Sequence, residues 1–270
     1  MRFADLKLAR RLEGAEAVAG VKCAEAMARL HPECRAAVLK VGDGYATFTG
    51  ATSPITQAVG LGLRGSVSET QIKRIEAFYR KRGVAVNIEL CPLADTKLVQ
   101  LLGRRGYRPI EFSNVLVRPI RRKERFPAPA AGVGVRLVEP GERKLWARTV
   151  AQGFGEHMKV TEELLTIMEA FGSRPGTKCF FGLIDGQIAG GGVAVIGKRL
   201  AVLGGASTLR AFRRHGVQTA LQYARLRFAA REGCDLAMTI TQPGSTSQRN
   251  AERRGFRVVY TRCKLIRKWK

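Results

Sequence analysis

The sequence predicts an α/β protein made of two like halves, each a mixed, mostly antiparallel sheet flanked by helices. Three observations predict it. One order of elements occurs twice: helix, Gly, strand, Pro, helix, Gly-aromatic, strand. Within the two copies, Gly83 and Gly106 are spaced almost as Gly233 and Gly255 are. Between the copies, Pro119 to Val133 is charged and then Pro/Ala-rich, and carries neither a 3.6-residue nor a 2-residue apolar period. That segment reads as a linker and sets the expected domains at 1–118 and 134–270, with 119–133 between them.

In the first copy a helical run over Glu69 to Arg82 ends at Gly83, where a left-handed C-cap is usual. A strand over Val84 to Leu90, Cys91-Pro92, a helix over Asp95 to Arg105, Gly106-Tyr107 and a strand over Phe112 to Val117 follow. In the second copy the helix covers Val217 to Glu232, ending at Gly233. After it come a strand over Cys234 to Ile240, Pro243-Gly244, a helix over Ser247 to Arg254, Gly255-Phe256 and a strand over Val258 to Ile266. Tyr107 and Phe256 are expected to pack inward. Ahead of the second copy, Val135 to Val138 reads as a strand, and Glu142 to Gln152 and Thr161 to Phe171 as helices. Thr161 with Glu162 and Glu163 reads as a capping box. Cys179 to Ile184, Asp185-Gly186 and Ile188 to Ile196 read as a hairpin, and Leu200 to Ala206 as one more strand. Gly190-Gly191-Gly192 inside the hairpin implies a bulge or a close backbone approach.

Composition narrows the function classes. Of 270 residues, 45% are hydrophobic, enough for ordinary cores. No apolar stretch is long enough to span a bilayer. Met1 to Gly20 interleaves acidic and basic residues, unlike a signal peptide, so the expectation is a soluble cytoplasmic protein. Cys23, Cys34, Cys91, Cys179, Cys234 and Cys263 form no C-x-x-C pair, and no His spacing suits a metal; free thiols and no metal site are expected. The formal charge of +25 permits a nucleic-acid partner. Residues 1–132 carry 23 basic and 12 acidic side chains, and residues 133–270 carry 24 and 10, so the excess is spread along the chain. No zinc-finger, aromatic RNA-binding or basic-zipper signature accompanies it, which disfavours such a partner.

Arg213-Arg214-His215-Gly216-Val217-Gln218-Thr219 separates the strand-like run from the long helix. A Gly there lets backbone N–H groups converge, and the helix adds the positive end of its dipole, a combination suited to phosphate. Two arginines at the mouth add charge-assisted donors.

This order of elements, with Arg213-Arg214-His215-Gly216-Val217-Gln218 and a short helix from Ser247 running into Gly255-Phe256, resembles the GNAT N-acetyltransferase superfamily. The family signature is Arg/Gln-x-x-Gly-x-Gly/Ala, and Gln218 departs from its last position. The resemblance covers about 134–266. The first half follows it in outline, with Leu63-Arg64-Gly65-Ser66-Val67 lacking the phosphate-loop pattern, so the chain resembles a tandem of two GNAT-like domains whose first is degenerate. The resemblance implies an acetyl-CoA-dependent N-acetyltransferase acting on a small-molecule or peptide amine by direct attack on the thioester. It also implies that the amides of Arg214 through Gln218, with Arg213, His215 and the Thr219 hydroxyl, cradle the coenzyme A pyrophosphate. Ala206, Ser207 and Thr208 would pair with the pantetheine arm, and Ser247 or Asn250 would lie near the thioester.

The catalytic roles are less filled. The strand Leu200 to Ser207 carries no carboxylate to serve as base, and the family's acid Tyr position is Ala251. Tyr260 is the nearest tyrosine in sequence and the one candidate acid, with core packing as its other reading. Glu156 and His157 fall where the family places acceptor-contacting segments. Two other readings stay open: a non-catalytic acyl-CoA-binding module, and a tandem aminoacyl transferase using aminoacyl-tRNA.

Overall fold

In chain order the elements are α1 (Leu6–Leu30), β1 (Ala37–Val41), β2 (Gly44–Phe48), β3 (Ala58–Val59), α2 (Glu69–Arg80), β4 (Val86–Leu90), α3 (Thr96–Arg104), β5 (Arg108–Pro119) and β6 (Val133–Leu137). There follow α4 (Arg143–Phe154), α5 (Glu162–Gly172), β7 (Thr177–Ile184), β8 (Gln187–Gly197), β9 (Leu200–Thr208), α6 (Val217–Arg231), β10 (Leu236–Thr241), α7 (Thr246–Glu252) and β11 (Arg257–Arg267). The structure is a computed structural model, and it describes residues 3–155 and 160–269. Helices and a mixed sheet alternate as the fold class requires. The chain divides into two compact units that are not its two halves: Met1–Leu116 with Ile240–Lys270, and Val117–Thr239.

In the first unit the strands run in the order β1-β2-β3-β4-β11-β5. Ala58 and Ile88 join β3 to β4, in parallel, whereas β4 pairs antiparallel with β11 from Leu90↔Cys263 to Val86↔Arg267. Ile72, Ile75 and Tyr79 share one face of α2 and are buried with Val86, Ile88, Leu98 and Leu102. Helix α1, whose long run the charged N-terminal sequence did not announce, sends Glu13 into the interior. There Glu13 accepts hydrogen bonds from the Tyr260 hydroxyl and from Arg262 Nε, each at 2.8 Å. Burial opposes the Arg262 charge, but Glu13 beside it keeps the guanidinium protonated. Breaking such a pair leaves one buried charge without compensation, so it ties β11 to α1.

The four repeat glycines end their helices alike. Gly83, Gly106, Gly233 and Gly255 have φ between +68° and +84°. After each, the next residue donates its N–H five residues back: Val84 to Tyr79, Tyr107 to Leu102, Cys234 to Ala229 and Phe256 to Ala251. This is the Schellman arrangement. Tyr107 and Phe256 are buried, as their position after the glycine implies.

In the second unit the order is β10-β9-β8-β7-β6, antiparallel except for β9 and β10. The β7–β8 hairpin turns at Asp185-Gly186, both with positive φ, the conformation that matches strand twist in two-residue turns. Helix α5 begins with Thr161 accepting the Leu164 N–H at 3.2 Å. The reciprocal half of the expected capping box is missing, because Leu164 occupies the position that needs a Glu or Gln; Glu162 and Glu163 instead place negative charge in the first turn. The 119–133 segment is held against the unit: Arg118 pairs with Glu124, and the Phe126 ring lies 6.0 Å from that of Tyr223 on α6. No helix among the described residues is long and apolar enough to cross a membrane.

The glycine triplet in β8 marks close approach on both faces. A Cβ on Gly191 would sit 2.8 Å from Trp146 Nε1, and one on Gly192 would sit 3.2 Å from the Arg225 guanidinium. Gly191→Ala should therefore lower unfolding free energy by about 1–3 kcal/mol through overpacking, measurable by urea melts. At the other end of this unit, Arg136 holds Glu142 through two bonds of 2.6 and 2.7 Å. These, with the Glu139 N–H, bring the Glu142 pKa down to about 2. A depressed carboxyl pKa stabilises the fold fully above the ordinary value near 4.5 and progressively less as pH falls toward 2. The melting-temperature difference between wild type and Glu142→Gln should shrink across that window.

Candidate functional site

The site is built where β9 and β10 part. Their parallel pairing covers only Leu200–Val202 against Leu236–Met238. At the fork the Thr239 hydroxyl donates to the Leu203 carbonyl at 3.0 Å. Beyond it β9 runs on to Thr208 with β8 on one side and, among the described residues, no ladder partner on the other. The strand also changes direction there. Gly191 faces Ser207 and Val193 faces Gly204, so β9 fits one more residue than β8 between those pairs. Gly205, at φ +50°, absorbs that bulge.

Arg225 of α6 reaches beneath the bulge and is buried there. Its Nη1 donates to the Val193 and Gly204 carbonyls, both at 3.2 Å, and its Nε to the Leu221 carbonyl at 3.0 Å. Burial lowers the guanidinium pKa to about 10, which leaves it charged at neutral pH. Nothing in the sequence marked this residue, since an arginine inside a helical run reads as surface. The one signal was Gly192, whose missing side chain makes room for it.

Helix α6 starts where Val217 and Leu221 pack onto β7 at Gly182; a Cβ on that glycine would lie 2.6 Å from Val217 Cγ1. Its N-cap is Gly216 at φ +85°, without a side-chain cap and without an acidic residue in the first turn. Arg214 also has positive φ, at +68°. Among the described residues, the main-chain amides of Arg214, His215, Gly216, Val217 and Gln218 donate to no protein group. Unoccupied amides at a helix start attract anions. The corresponding helix of the first unit is closed. Ser68 accepts from Gln71 N–H and Gln71 accepts from Ser68 N–H, and Glu69 adds negative charge in the first turn.

The side chains of the expected cofactor residues divide into two groups. Arg214, His215 and Gly216 are exposed at the loop, so His215 offers its backbone there. Gln218 has a buried, unpartnered Oε1, and Thr208 a buried, unpartnered Oγ1. Arg213 folds back to donate to the carbonyls of Thr208 and Gly153, so its guanidinium ties the loop to β9 and α4 rather than simply extending from the mouth. The Ser207 hydroxyl donates to Val150 O at 2.8 Å and serves the interior; only its backbone and that of Ala206 are left for a ligand.

Ser247 and Asn250 lie on α7, in the first unit. Tyr260 also belongs to that unit. It is buried, its hydroxyl is given to Glu13, and burial drives its pKa upward. That environment suits the core reading of Tyr260 and not a proton donor near neutral pH. Glu156 and His157 lie outside the described residues.

Residues 144–256 match the sequence profile of the Acetyltransferase (GNAT) family. No curated protein sequence matches the chain. Three solved structures share the fold at low identity. A GCN5-related N-acetyltransferase from Kribbella flavida aligns with TM-score 0.63 and 17% identity, over 93% of this chain and 96% of that one. A tandem GNAT protein from the clavulanic acid biosynthesis pathway aligns with TM-score 0.60 and 17% identity, over 85% and 81%. The C-terminal domain (DUF2156) of an Agrobacterium fabrum protein described as a lysylphosphatidylglycerol synthetase aligns with TM-score 0.53 and 11% identity, over 96% and 93%.

Proposed function

We propose that the chain, whose residues 144–256 match the Acetyltransferase (GNAT) family, is an acetyl-CoA-dependent N-acetyltransferase, working in the cytoplasm on a small-molecule or peptide amine. The open N-terminus of α6 carries this reading. A diphosphate would complete the amides of Arg214 through Gln218, with the Thr219 hydroxyl nearby and the helix dipole favouring the charge. The closed capping box of α2 supports a single cofactor site, in the second unit. The stretch of β9 from Ala206 to Thr208, which has no ladder partner on its β10 side among the described residues, suits an extended, amide-bearing arm, which would pair with it as an added strand. Ser247 and Asn250 are kept as proposed contacts near the reacting end.

Bound acetyl-CoA would supply an acyl group activated as a thioester. The chain's own contribution is to orient it and to exclude water, with a main-chain N–H near Thr208 stabilising charge as it grows on the carbonyl oxygen. No carboxylate stands on β9 to take the proton of an incoming amine. A lysine-like amine, with a pKa near 10.4, is almost wholly protonated at pH 7. The acceptor expected is therefore an amine of lower pKa, or one whose proton leaves through water.

The test is free-thiol release from acetyl-CoA across a panel of amines of graded pKa. Amine-dependent release supports the transferase. Thermal stabilisation by acetyl-CoA without release from any amine would identify a binding-only module. The +25 charge and the shared fold of the Agrobacterium domain favour one second reading, aminoacyl transfer from tRNA. Tight tRNA binding that weakens steeply with salt, with no response to acetyl-CoA, would establish that reading instead.

A further inference from the structure

We infer that the first unit holds a second anion site, separate from the α6 loop, shaped for the phosphate group of a small phosphorylated molecule. A cavity of about 460 Å³ opens there beside α2, lined by Lys73, Glu76, Arg80, Lys81, Arg105 and Arg267. That volume lies within the range of small-molecule sites.

The cations are arranged rather than merely numerous. Glu76, at the base, accepts from Arg105 Nε at 2.9 Å and Nη2 at 2.5 Å, and also from Arg267 Nη1. Two guanidinium groups are thus fixed on Glu76, and Arg105 Nη1 also donates to Glu69 at 2.9 Å. Arg80 is set by stacking over the Trp269 ring, 4.4 Å from its centroid. Trp269 is itself anchored by donating to the Val84 carbonyl at 2.7 Å. At the rim Lys73 is shared with Glu69 at 3.1 Å, while Lys81 has no acidic partner among the described residues. Counting Glu69 and Glu76 against the five cations leaves a surplus of three positive charges around one cavity.

Such a surplus calls for an anion of more than one charge. A carboxylate brings a single charge and two oxygens. A phosphate monoester brings up to two charges and three acceptor oxygens, which suits the guanidinium groups of Arg80 and Arg267 beside the Lys81 ammonium, with Arg105 adding charge behind them from between Glu69 and Glu76. The preset geometry lowers the ordering cost of binding, as it does in preorganised sites generally. The inference does not depend on the transferase reading, since none of these residues belongs to the α6 loop.

The experiment is calorimetric titration of the full chain with inorganic pyrophosphate at fixed salt. Gly216→Glu, which disables the α6 loop, should retain binding. Adding Arg80→Glu and Lys81→Glu in that background should weaken it at least tenfold, while Lys144→Glu with Arg148→Glu, an equal charge change on α4, should leave it within twofold. If the triple variant fails to fold, Gly216→Glu with Lys81→Gln replaces it, with at least threefold weakening expected, because Lys81 holds no other side chain in place. Loss of all binding in Gly216→Glu alone overturns the inference. So does equal weakening by the α4 pair, which would mean general surface charge. Single-stranded RNA binding in preference to pyrophosphate at matched phosphate concentration also overturns it, in favour of a nucleic-acid backbone contact.

Discussion

Replacing Gly216 by Glu should abolish stabilisation by acetyl-CoA. Wild type at a hundredfold excess over its Kd should gain about 2.7 kcal/mol, roughly 5–10 °C in melting temperature for a chain of this class. The variant should gain less than a tenth of that. Two physical causes act together. Gly216 sits at φ +85°, where a residue with a Cβ costs about 1–2 kcal/mol. The new carboxylate then stands before the amides of Arg214 through Gln218 and repels the diphosphate they would bind. Gly216→Ala separates the causes: it keeps the strain without the charge and should lose only part of the ligand-induced shift. A full shift in Gly216→Glu would remove the loop from the cofactor site.

Arg225→Met should lower unfolding free energy by about 2–4 kcal/mol and weaken acetyl-CoA stabilisation while leaving the α6 loop sequence intact. Removing a desolvated charge relieves some cost. Against that, the Val193 and Gly204 carbonyls lose charge-assisted donors, and buried acceptors left alone cost about 1–3 kcal/mol each. The second effect is expected to win because both carbonyls flank the bulge, where the ladder register between β8 and β9 breaks. Arg225 also joins α6, whose start carries the proposed pyrophosphate cradle, to the bend that aims Ala206 to Thr208. As a positioning residue it should change the KM for acetyl-CoA more than the KM for the amine, and Arg225→Lys should restore part of the loss. Urea melts and a KM-against-kcat comparison check both halves of this expectation.

Much of the architecture was legible because it is locally encoded. Gly after a helical run, an aromatic after that Gly, and Asp185-Gly186 between alternating apolar residues each specify a backbone conformation within a few residues. The loop Arg213 to Gln218 was legible for the same reason: one Gly at a strand-to-helix junction sets the amide geometry. What escaped the sequence is set by distant partners. The run Val258 to Ile266 reads as a strand, but nothing local says that it pairs with Val86 to Leu90. Helix α1 was obscured by its interspersed charges, one of which, Glu13, turns inward to meet Tyr260 and Arg262. The fixing of Arg225 under a bulge depends on three carbonyls, two of them from strands earlier in the chain. Arg213 reads as a free cation until its acceptors, Thr208 and Gly153, are seen.

The pairing of β4 with β11 has a consequence for synthesis on the ribosome. Val86 to Leu90 emerges long before Arg257 to Arg267, so throughout most of translation the first unit exposes a bare strand edge and lacks the Arg262 that neutralises Glu13. Its nascent form is therefore open to intermolecular strand pairing until release of the C-terminal segment. A polypeptide stopped at residue 118 should collect in the insoluble fraction, and supplying residues 119–270 in trans should rescue it only if the missing strand docks before aggregation does.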